Sequence, residues 1–322
     1  MNVRNVKDMK IVFLDDNSIG TDIDLSGFES LGEVVRYGSS KLEEVPERVK
    51  DADVVIINKM EINERTIGTA EKLKLVCVTA TGTNNLDKEF LAKRNIAWRN
   101  VAGYSTECVA QHTFALLFYL LEKMPYYDNY VKSEKYVNDA MFTHFANHFH
   151  ELCGMTWGII GLGAIGRRVA DLAKAFGCHV IYYSTSGNHT EDGYERVDFD
   201  TLLKTSDIVS VHAPLTEQTE QLMNAAAFSK MKNSAIFINV GRGPIVVEAD
   251  LADALEQGEI AAAGLDVLSA EPMREDNPLR CIKDSEKLVI TPHIAWAAVE
   301  TRKRLMDIIL QQVKELFEVK QK

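Results

Sequence analysis

The chain has 322 residues, 46% hydrophobic and 26% charged, with a formal net charge of −11, which describes a globular protein with room for two domains. An acid excess of that size argues against nucleic acid or an anionic membrane as partner, since either selects a basic face. No apolar run approaches the roughly 18 residues of a membrane span, the start Met1-Asn2-Val3-Arg4 leads into mixed sequence rather than a signal peptide, and Cys77, Cys108, Cys153, Cys178 and Cys281 are scattered without C-x-x-C, as reduced cytoplasmic thiols would be.

Along the first third, short apolar runs alternate with helical patterns. Strands are expected at Lys10 to Leu14, Val34 to Tyr37, Asp53 to Ile57, Leu75 to Thr79 and Ile96 to Arg99, with amphipathic helices at Leu42 to Lys50 and Thr66 to Leu73. Such alternation predicts a parallel sheet with crossover helices. From Ser105 a long helix is expected, carrying Val109, Thr113, Leu116, Leu117, Leu120 and Leu121 at helical spacing and stopping near Pro125. His112 on it reads as a packed helix residue. The next segment is dense in aromatics (Phe142, Phe145, Phe149) and holds His144, His148 and His150. Without a matching set of Cys or carboxylate ligands these histidines suggest a packing or dimer-arm segment, and no metal is expected. Glu43-Glu44 and Glu191-Asp192 read as solvated faces.

Halfway along stands Gly161-Leu162-Gly163-Ala164-Ile165-Gly166, a G-x-G-x-x-G. Thr156 to Ile160 before it reads as a buried strand. Arg167 to Phe176 after it has Val169, Leu172, Ala173 and Phe176 at helical spacing, and Gly177 ends the helix. Strand, glycine turn and helix are the context a dinucleotide site requires. The first glycine makes the turn, the second lets a pyrophosphate approach, and the third lets helix pack on strand, while the helix N-terminus offers free N–H groups.

A second βα series follows, with strands expected at Cys178 to Tyr183, Asp207 to Val211, Ala235 to Val240, Ala262 to Val267 and Leu288 to Thr291, and a last helix from Trp296 to Phe317. The expected fold class is therefore α/β, with two doubly wound parallel-sheet domains, a Rossmann cofactor domain (104–295) inserted into a flavodoxin-like substrate domain (1–103 and 296–322). A cleft between two such lobes would enclose a small substrate.

Ligands of open α/β sheets bind outside the carboxyl ends of the strands. The residues following the strands of the second series are Gly161, Ser184, His212-Ala213-Pro214, Gly241-Arg242-Gly243, Asp266 and Pro292-His293, and the loop after Asp266 adds Glu271-Pro272. Turn and cap chemistry accounts for the glycines, Ser184 and Pro214. It does not easily account for an Arg, an Asp and a His on one edge. Reducing a 2-oxo acid needs a hydride at C2, a proton for the carbonyl oxygen and a cation for the carboxylate. Arg242 suits the carboxylate, through its planar, permanently charged fork. His293 suits the proton. Glu271 on the other ring nitrogen would orient the imidazole and favour its cation.

Over almost its full length the chain resembles the D-isomer-specific 2-hydroxyacid dehydrogenases. The matching stretches are Ala80 to Asn85, Gly103 to Glu107 with Gln111-His112-Thr113, the glycine fingerprint, His212 to Thr216, Asn239 to Gly243, Gly264 to Val267, Glu271-Pro272 and Thr291-Pro292-His293. The resemblance implies that Arg242, Glu271 and His293 are the catalytic trio and that Asp266 holds the nicotinamide end of the cofactor. It further implies that Ala164, Ile165, Ala213, Pro214, Thr219, Val240 and Gly241 line the dinucleotide, and that the protein is a homodimer. Thr81, Gly82 and Thr83 would bind the substrate carboxylate through backbone N–H groups, with Lys59 assisting. The stretches Thr81 to Asn85, Gly103 to Glu107 and Pro292 to Trp296 are most similar to the glycerate dehydrogenase (hydroxypyruvate reductase) branch, which implies hydroxypyruvate as substrate, with glyoxylate a poorer one.

One position departs from the NAD fingerprint. The acid expected at the end of the second strand is replaced by Ser184, and Thr185 to His189 supply no Arg. NAD is the expected cofactor, with NADP use left open. D-lactate-type and branched-chain 2-hydroxyacid dehydrogenases remain alternatives within the family. A glutamate at 271 argues against formate dehydrogenases, which place a glutamine beside the histidine. Many phosphoglycerate dehydrogenases carry a further C-terminal domain, whereas this sequence stops after one helix. A dinucleotide-sensing, corepressor-like binding protein is the alternative of another class. It shares the trio, and the compact length disfavours it.

Overall fold

The computed structural model describes residues 9–187 and 193–318; the readings of the first four residues, of Asn188-His189 and of Glu191-Asp192 fall outside them. Two compact units divide the chain, Met1–Ser105 with Ala297–Lys322, and Thr106–Trp296. In the first unit β1 (Met9–Phe13), β2 (Gly32–Arg36), β3 (Val54–Ile57), β4 (Leu75–Val78) and β5 (Ala97–Arg99) form one parallel sheet in the order β2-β1-β3-β4-β5. Helices α1 (Ser26–Glu29), α2 (Val45–Val49), α3 (Glu64–Ile67) and α4 (Lys88–Lys93) connect the strands. Every residue of β3 and β4 is buried, which is why these strands read as unbroken apolar runs rather than alternating ones. Val12, Val55, Ile57, Val76 and Val78 pack under Val45, Val49, Ile67 and Leu91. Phe13 points the opposite way and meets Phe28 of α1 edge-on at 5.4 Å.

In the second unit β6 (Thr156–Ile160), β7 (His179–Tyr183), β8 (Glu195–Arg196), β9 (Ile208–Val211), β10 (Ile236–Asn239), β11 (Ala262–Leu265) and β12 (Leu288–Ile290) form a seven-stranded sheet in the order β12-β11-β10-β9-β6-β7-β8, all parallel. This is the dinucleotide-fold order with one strand added at an edge. Helices α5 (Thr106–Leu121), α6 (Met124–Lys132), α7 (Ala164–Ala175), α8 (Phe199–Thr205), α9 (Ala225–Phe228) and α10 (Glu248–Gln257) belong to it. One sheet face packs α5 and α7 through Phe114, Leu117, Trp157, Val169 and Tyr182. The other packs α8, α9 and α10 through Leu202, Phe228, Phe237 and Leu251. The chain then returns to the first unit as α11 (Val299–Glu318), held there by Arg302 on the Ile19 carbonyl (2.7 Å) and the Asp22 carboxylate and by Gln312 on the Asn100 carbonyl (3.0 Å).

The fold class matches expectation, and the boundaries that differ have local causes. The helix expected over Leu42 to Lys50 is a 3-10 turn, Leu42–Glu44, followed by α2, because Pro46 fits only a first helical turn. That expected over Thr66 to Leu73 is the short α3, capped by the Asn63 side chain at one end and by Gly68 at the other. Pro125 does not so much stop a helix as start one. Helix α5 ends at Leu121, Lys123 takes a left-handed φ of 52°, and Pro125 sits in the first turn of α6. Among the described residues no helix is long and apolar enough to cross a membrane.

Candidate active site

The strand order of the second unit reverses between β6 and β9, so the loops after these two strands flank its switch point. The glycine turn follows β6. Gly161 has a φ of 92°, and a Cβ there would meet the Ala213 backbone at 2.8 Å; a Cβ on Gly166 would meet the Gly161 carbonyl oxygen at 2.2 Å. Among the described residues nothing lies within 4 Å of a Cβ position on Gly163. Among the described residues no side-chain cap hydrogen bond is made at Gly163, the N-cap of α7, so the N–H groups of its first turn suit an anionic ligand. Bare backbone, an uncapped helix N-terminus and room above the second glycine fit a pyrophosphate. Ala164 is exposed and Ile165 half-buried at that turn; Ala213 and Val240 are buried, Pro214 exposed and Gly241 half-buried. Thr219 is fully buried, its hydroxyl donating to the Pro214 carbonyl at 2.7 Å and accepting the Thr216 N–H at 2.8 Å, which fixes the loop after His212.

Ser184 lies buried at the end of β7, its Oγ 3.5 Å from that of Ser186. An arginine does reach this loop. Arg196 of β8 donates to the Gly187 carbonyl at 2.7 Å. A two-residue strand leaves no periodicity to read, so its neighbour across the sheet was not foreseeable from the sequence.

The loops after β10, β11 and β12 hold the remaining expected residues. His293 Nδ1 stands 2.7 Å from Glu271 Oε2, and the other carboxylate oxygen accepts the Leu268 N–H at 3.0 Å. Both side chains stay about a third exposed, at 29% and 32%, so the pair is open to a small ligand. Asp266 is the hub of the turn that carries His293. Its carboxylate, 1% exposed, accepts Thr291 Oγ1 (2.6 Å) and the Ile294 N–H (2.8 Å) on Oδ1 and the Ala295 N–H (2.8 Å) on Oδ2. Its carbonyl accepts the His293 N–H at 2.9 Å. His293 itself has φ 54°, a conformation a non-glycine residue holds only where its surroundings impose it.

Arg242 follows β10 in extended conformation, with Nη1 on the Gly241 carbonyl at 2.8 Å and its own carbonyl accepting from Asn239 Nδ2 at 3.0 Å. Gly243 packs so tightly on the next loop that a Cβ would lie 1.9 Å from the Leu268 carbonyl carbon. The turn bearing Arg242 is thus pressed on the loop bearing Glu271. Glu248, at the start of α10, braces that loop, accepting from Ser269 N (2.7 Å), Ser269 Oγ (2.8 Å) and Asn277 Nδ2 (2.8 Å).

In the first unit the switch point lies between β1 and β3. The exposed Lys59 follows β3 there. Asp15, after β1, accepts the backbone N–H groups of Asn58 (2.7 Å), Lys59 (2.7 Å) and Met60 (3.1 Å), and Asn85 Nδ2 bonds the Met60 carbonyl at 2.8 Å. Burial raises the Asp15 pKa above its ordinary value, against those three hydrogen bonds. Thr81 is exposed and Gly82 and Thr83 half-buried; Thr81 Oγ1 donates to the Val101 carbonyl at 3.0 Å and its own carbonyl accepts Asn100 Nδ2 at 2.7 Å.

Two histidine readings gain detail. His144 is stacked on Tyr130, ring centroids 3.8 Å apart, and bonds Tyr126 Oη at 2.8 Å. Among the described residues no group of three His, Cys, Asp or Glu is placed to hold a metal ion. His112 does more than pack, for its Nε2 lies 2.9 Å from Thr291 Oγ1. The motif holding Thr291 was legible; the partner across the sheet was not.

Residues 114–295 match the model of the D-isomer specific 2-hydroxyacid dehydrogenase NAD binding domain. The chain is 38% identical to a hydroxypyruvate reductase of Blautia hydrogenotrophica, over 96% of this chain and 97% of that one. It is 36% identical to a glycerate dehydrogenase of Methylorubrum extorquens, over 94% and 95%. A D-lactate dehydrogenase of Aquifex aeolicus, solved with NAD and lactic acid, superposes with a TM-score of 0.81 at 26% identity, covering 96% of this chain and 95% of that one.

Proposed function

The chain belongs to the D-isomer specific 2-hydroxyacid dehydrogenases, and from that premise we propose that it reduces hydroxypyruvate to D-glycerate, with glyoxylate a poorer substrate. The observation that carries the reading is the 2.7 Å contact between His293 Nδ1 and Glu271 on the cofactor edge of the sheet. NAD is the cofactor, and when bound it supplies the hydride that reaches C2. The remaining work falls to side chains. A ring proton on Nδ1 is committed to the Glu271 carboxylate, so Nε2 is the nitrogen that gives its proton to the carbonyl oxygen on reduction and takes it back on oxidation. Arg242 pairs with the substrate carboxylate. Asp266 fixes the backbone on either side of His293. In the first unit, Lys59 and the backbone N–H groups of Thr81, Gly82 and Thr83 are the groups suited to a carboxylate.

Ser184 presents no charge to a ribose 2′-phosphate and Arg196 stands beside the same loop, so NADPH is accepted alongside NADH. The enzyme works in the cytoplasm as a homodimer, its cysteines reduced.

Loss of reduced-nicotinamide absorbance tests the assignment, with hydroxypyruvate, glyoxylate, pyruvate and 2-oxoisocaproate each offered with NADH and NADPH. Fastest turnover with hydroxypyruvate is the expected result. Preference for 2-oxoisocaproate or pyruvate would keep the family and overturn the substrate. Tight dinucleotide binding with no turnover of any acid would overturn the enzymatic reading in favour of a dinucleotide sensor.

A further inference from the structure

We infer that His112 is a positioning residue for the proposed proton donor, acting through Thr291 and Asp266 on the turn that carries His293. The inference rests on the reading of His293 given above.

The chain of contacts is directional. A threonine hydroxyl has one proton to give and two lone pairs. The acceptor nearest Thr291 Oγ1 is Asp266 Oδ1 at 2.6 Å, with the Leu265 carbonyl farther off at 3.4 Å. With that proton committed to a carboxylate, His112 Nε2 at 2.9 Å is the donor to Thr291. Were Nε2 instead the bare nitrogen, it would compete for the hydroxyl proton, and Asp266 would lose its shortest hydrogen bond. Asp266 is also the nearest carboxylate to the ring, 3.5 Å from Nε2. Burial holds the His112 pKa below its ordinary value although the Asp266 charge opposes this, which favours the neutral ring.

What the relay reaches is the proposed reacting group. Three polar contacts of residues 291–295 end on Asp266 side-chain oxygens and another ends on its carbonyl, while the Thr291 N–H donates to the Leu265 carbonyl at 2.8 Å. His293 occupies a left-handed φ in the middle of that turn. The turn has no helix or strand to enforce that conformation; the carboxylate does so. A rotation of Asp266 that favoured one of its donors over another would move His293 Nε2 while leaving the Glu271 loop in place, and misplacement on the ångström scale is enough to cost a proton transfer. His112, on α5, supplies the link between the longest helix of the unit and this turn.

His112→Leu removes the donor and fills the space, whereas His112→Gln returns an N–H near the Nε2 position. His112→Leu is expected to lower kcat for hydroxypyruvate about 10-fold, with NADH affinity by fluorescence titration within about twofold of the parent. His112→Gln is expected to recover most of the loss, and His112→Leu combined with Thr291→Val to be no slower than Thr291→Val alone. Amide exchange across residues 291–296 should rise in His112→Leu while the rest of the unit keeps its protection. This arm reads the relay even where no 2-oxo acid is turned over, so failure of the functional reading is distinguishable from failure of the relay. If His112→Leu does not fold, Thr291→Val carries both measurements. Unchanged kcat and unchanged exchange in the apolar variant, equal loss in Leu and Gln, or additive losses in the double variant would overturn the inference.

Discussion

Hydrogen-bond geometry assigns the proposed chemistry to particular atoms. His293→Ala removes the proposed proton donor but no cofactor contact, so kcat should fall by about 10²–10⁴ while NADH binding by fluorescence titration persists. Arg242→Ala removes the charged fork and should act chiefly on the 2-oxo acid, raising its KM and lowering kcat/KM, with little change in dinucleotide affinity. Near-native turnover by either variant would refute the roles given to them. His212 supports a prediction about stability. Its Nε2 pairs with Ser210 Oγ at 2.9 Å, Nδ1 is buried with no hydrogen-bond partner among the described residues, and burial pulls its pKa from 6.5 down to about 3. The unfolded chain therefore takes up a proton that the folded one refuses. Stability is full above pH ~6.5 and drains as pH falls toward ~3, by at most about 2–5 kcal/mol. His212→Asn should flatten the decline of Tm between pH 6.5 and 4; an unchanged acid slope would rule out His212 as its source.

Helices and strands were legible where their patterns were long, and lost where a single residue overrode the pattern. Fully buried β3, β4 and β9 stand out as apolar runs because helices cover both faces of their sheets. Gly68 ends α3 before its apolar periodicity does, and β8 holds only Glu195 and Arg196, whose polar side chains look like loop. Residues at strand ends were legible as candidates because topology fixes that edge in advance of any side-chain detail. Their supports were not, since Glu248 and the loop it braces are joined only by the fold. Replacing Glu248 by Ala leaves Ser269 N, Ser269 Oγ and Asn277 Nδ2 without their acceptor. For a partly solvated site the loss should be about 1–3 kcal/mol in unfolding free energy by denaturant titration. Because that loop carries Glu271, kcat should fall as well. Full stability with a full kcat would mean that water replaces the carboxylate without consequence.

At the scale of the whole molecule, the segment 124–150 is where composition and surface disagree. A chain of net charge −11 would be expected to keep its surface polar, yet Val137, Met141, Phe142, Phe145 and Phe149 are 52–89% exposed within this one stretch. Looseness does not account for it. Tyr127 Oη bonds the Asn147 carbonyl at 2.6 Å, Tyr130 stacks on His144, and Asn147 Nδ2 reaches Glu286 at 3.1 Å, so the aromatic side chains are held outward by a folded scaffold. An ordered apolar patch of this kind is costly in water unless a partner covers it, and a second copy is the partner proposed above. Two acidic copies repel one another, so an apolar contact has to overcome that repulsion. Added salt should then tighten the dimer, by screening the like charges and strengthening burial, where a contact built on ion pairs would loosen. Light scattering should give twice 36.0 kDa for the parent chain. With Phe142→Asp and Phe145→Asp combined, each subunit would have to desolvate two carboxylates on association, and the mass should drop to 36.0 kDa with circular dichroism unchanged. A parent chain that scatters as 36.0 kDa at micromolar concentration, or a doubly substituted chain that still dimerises, would refute the role given to this segment.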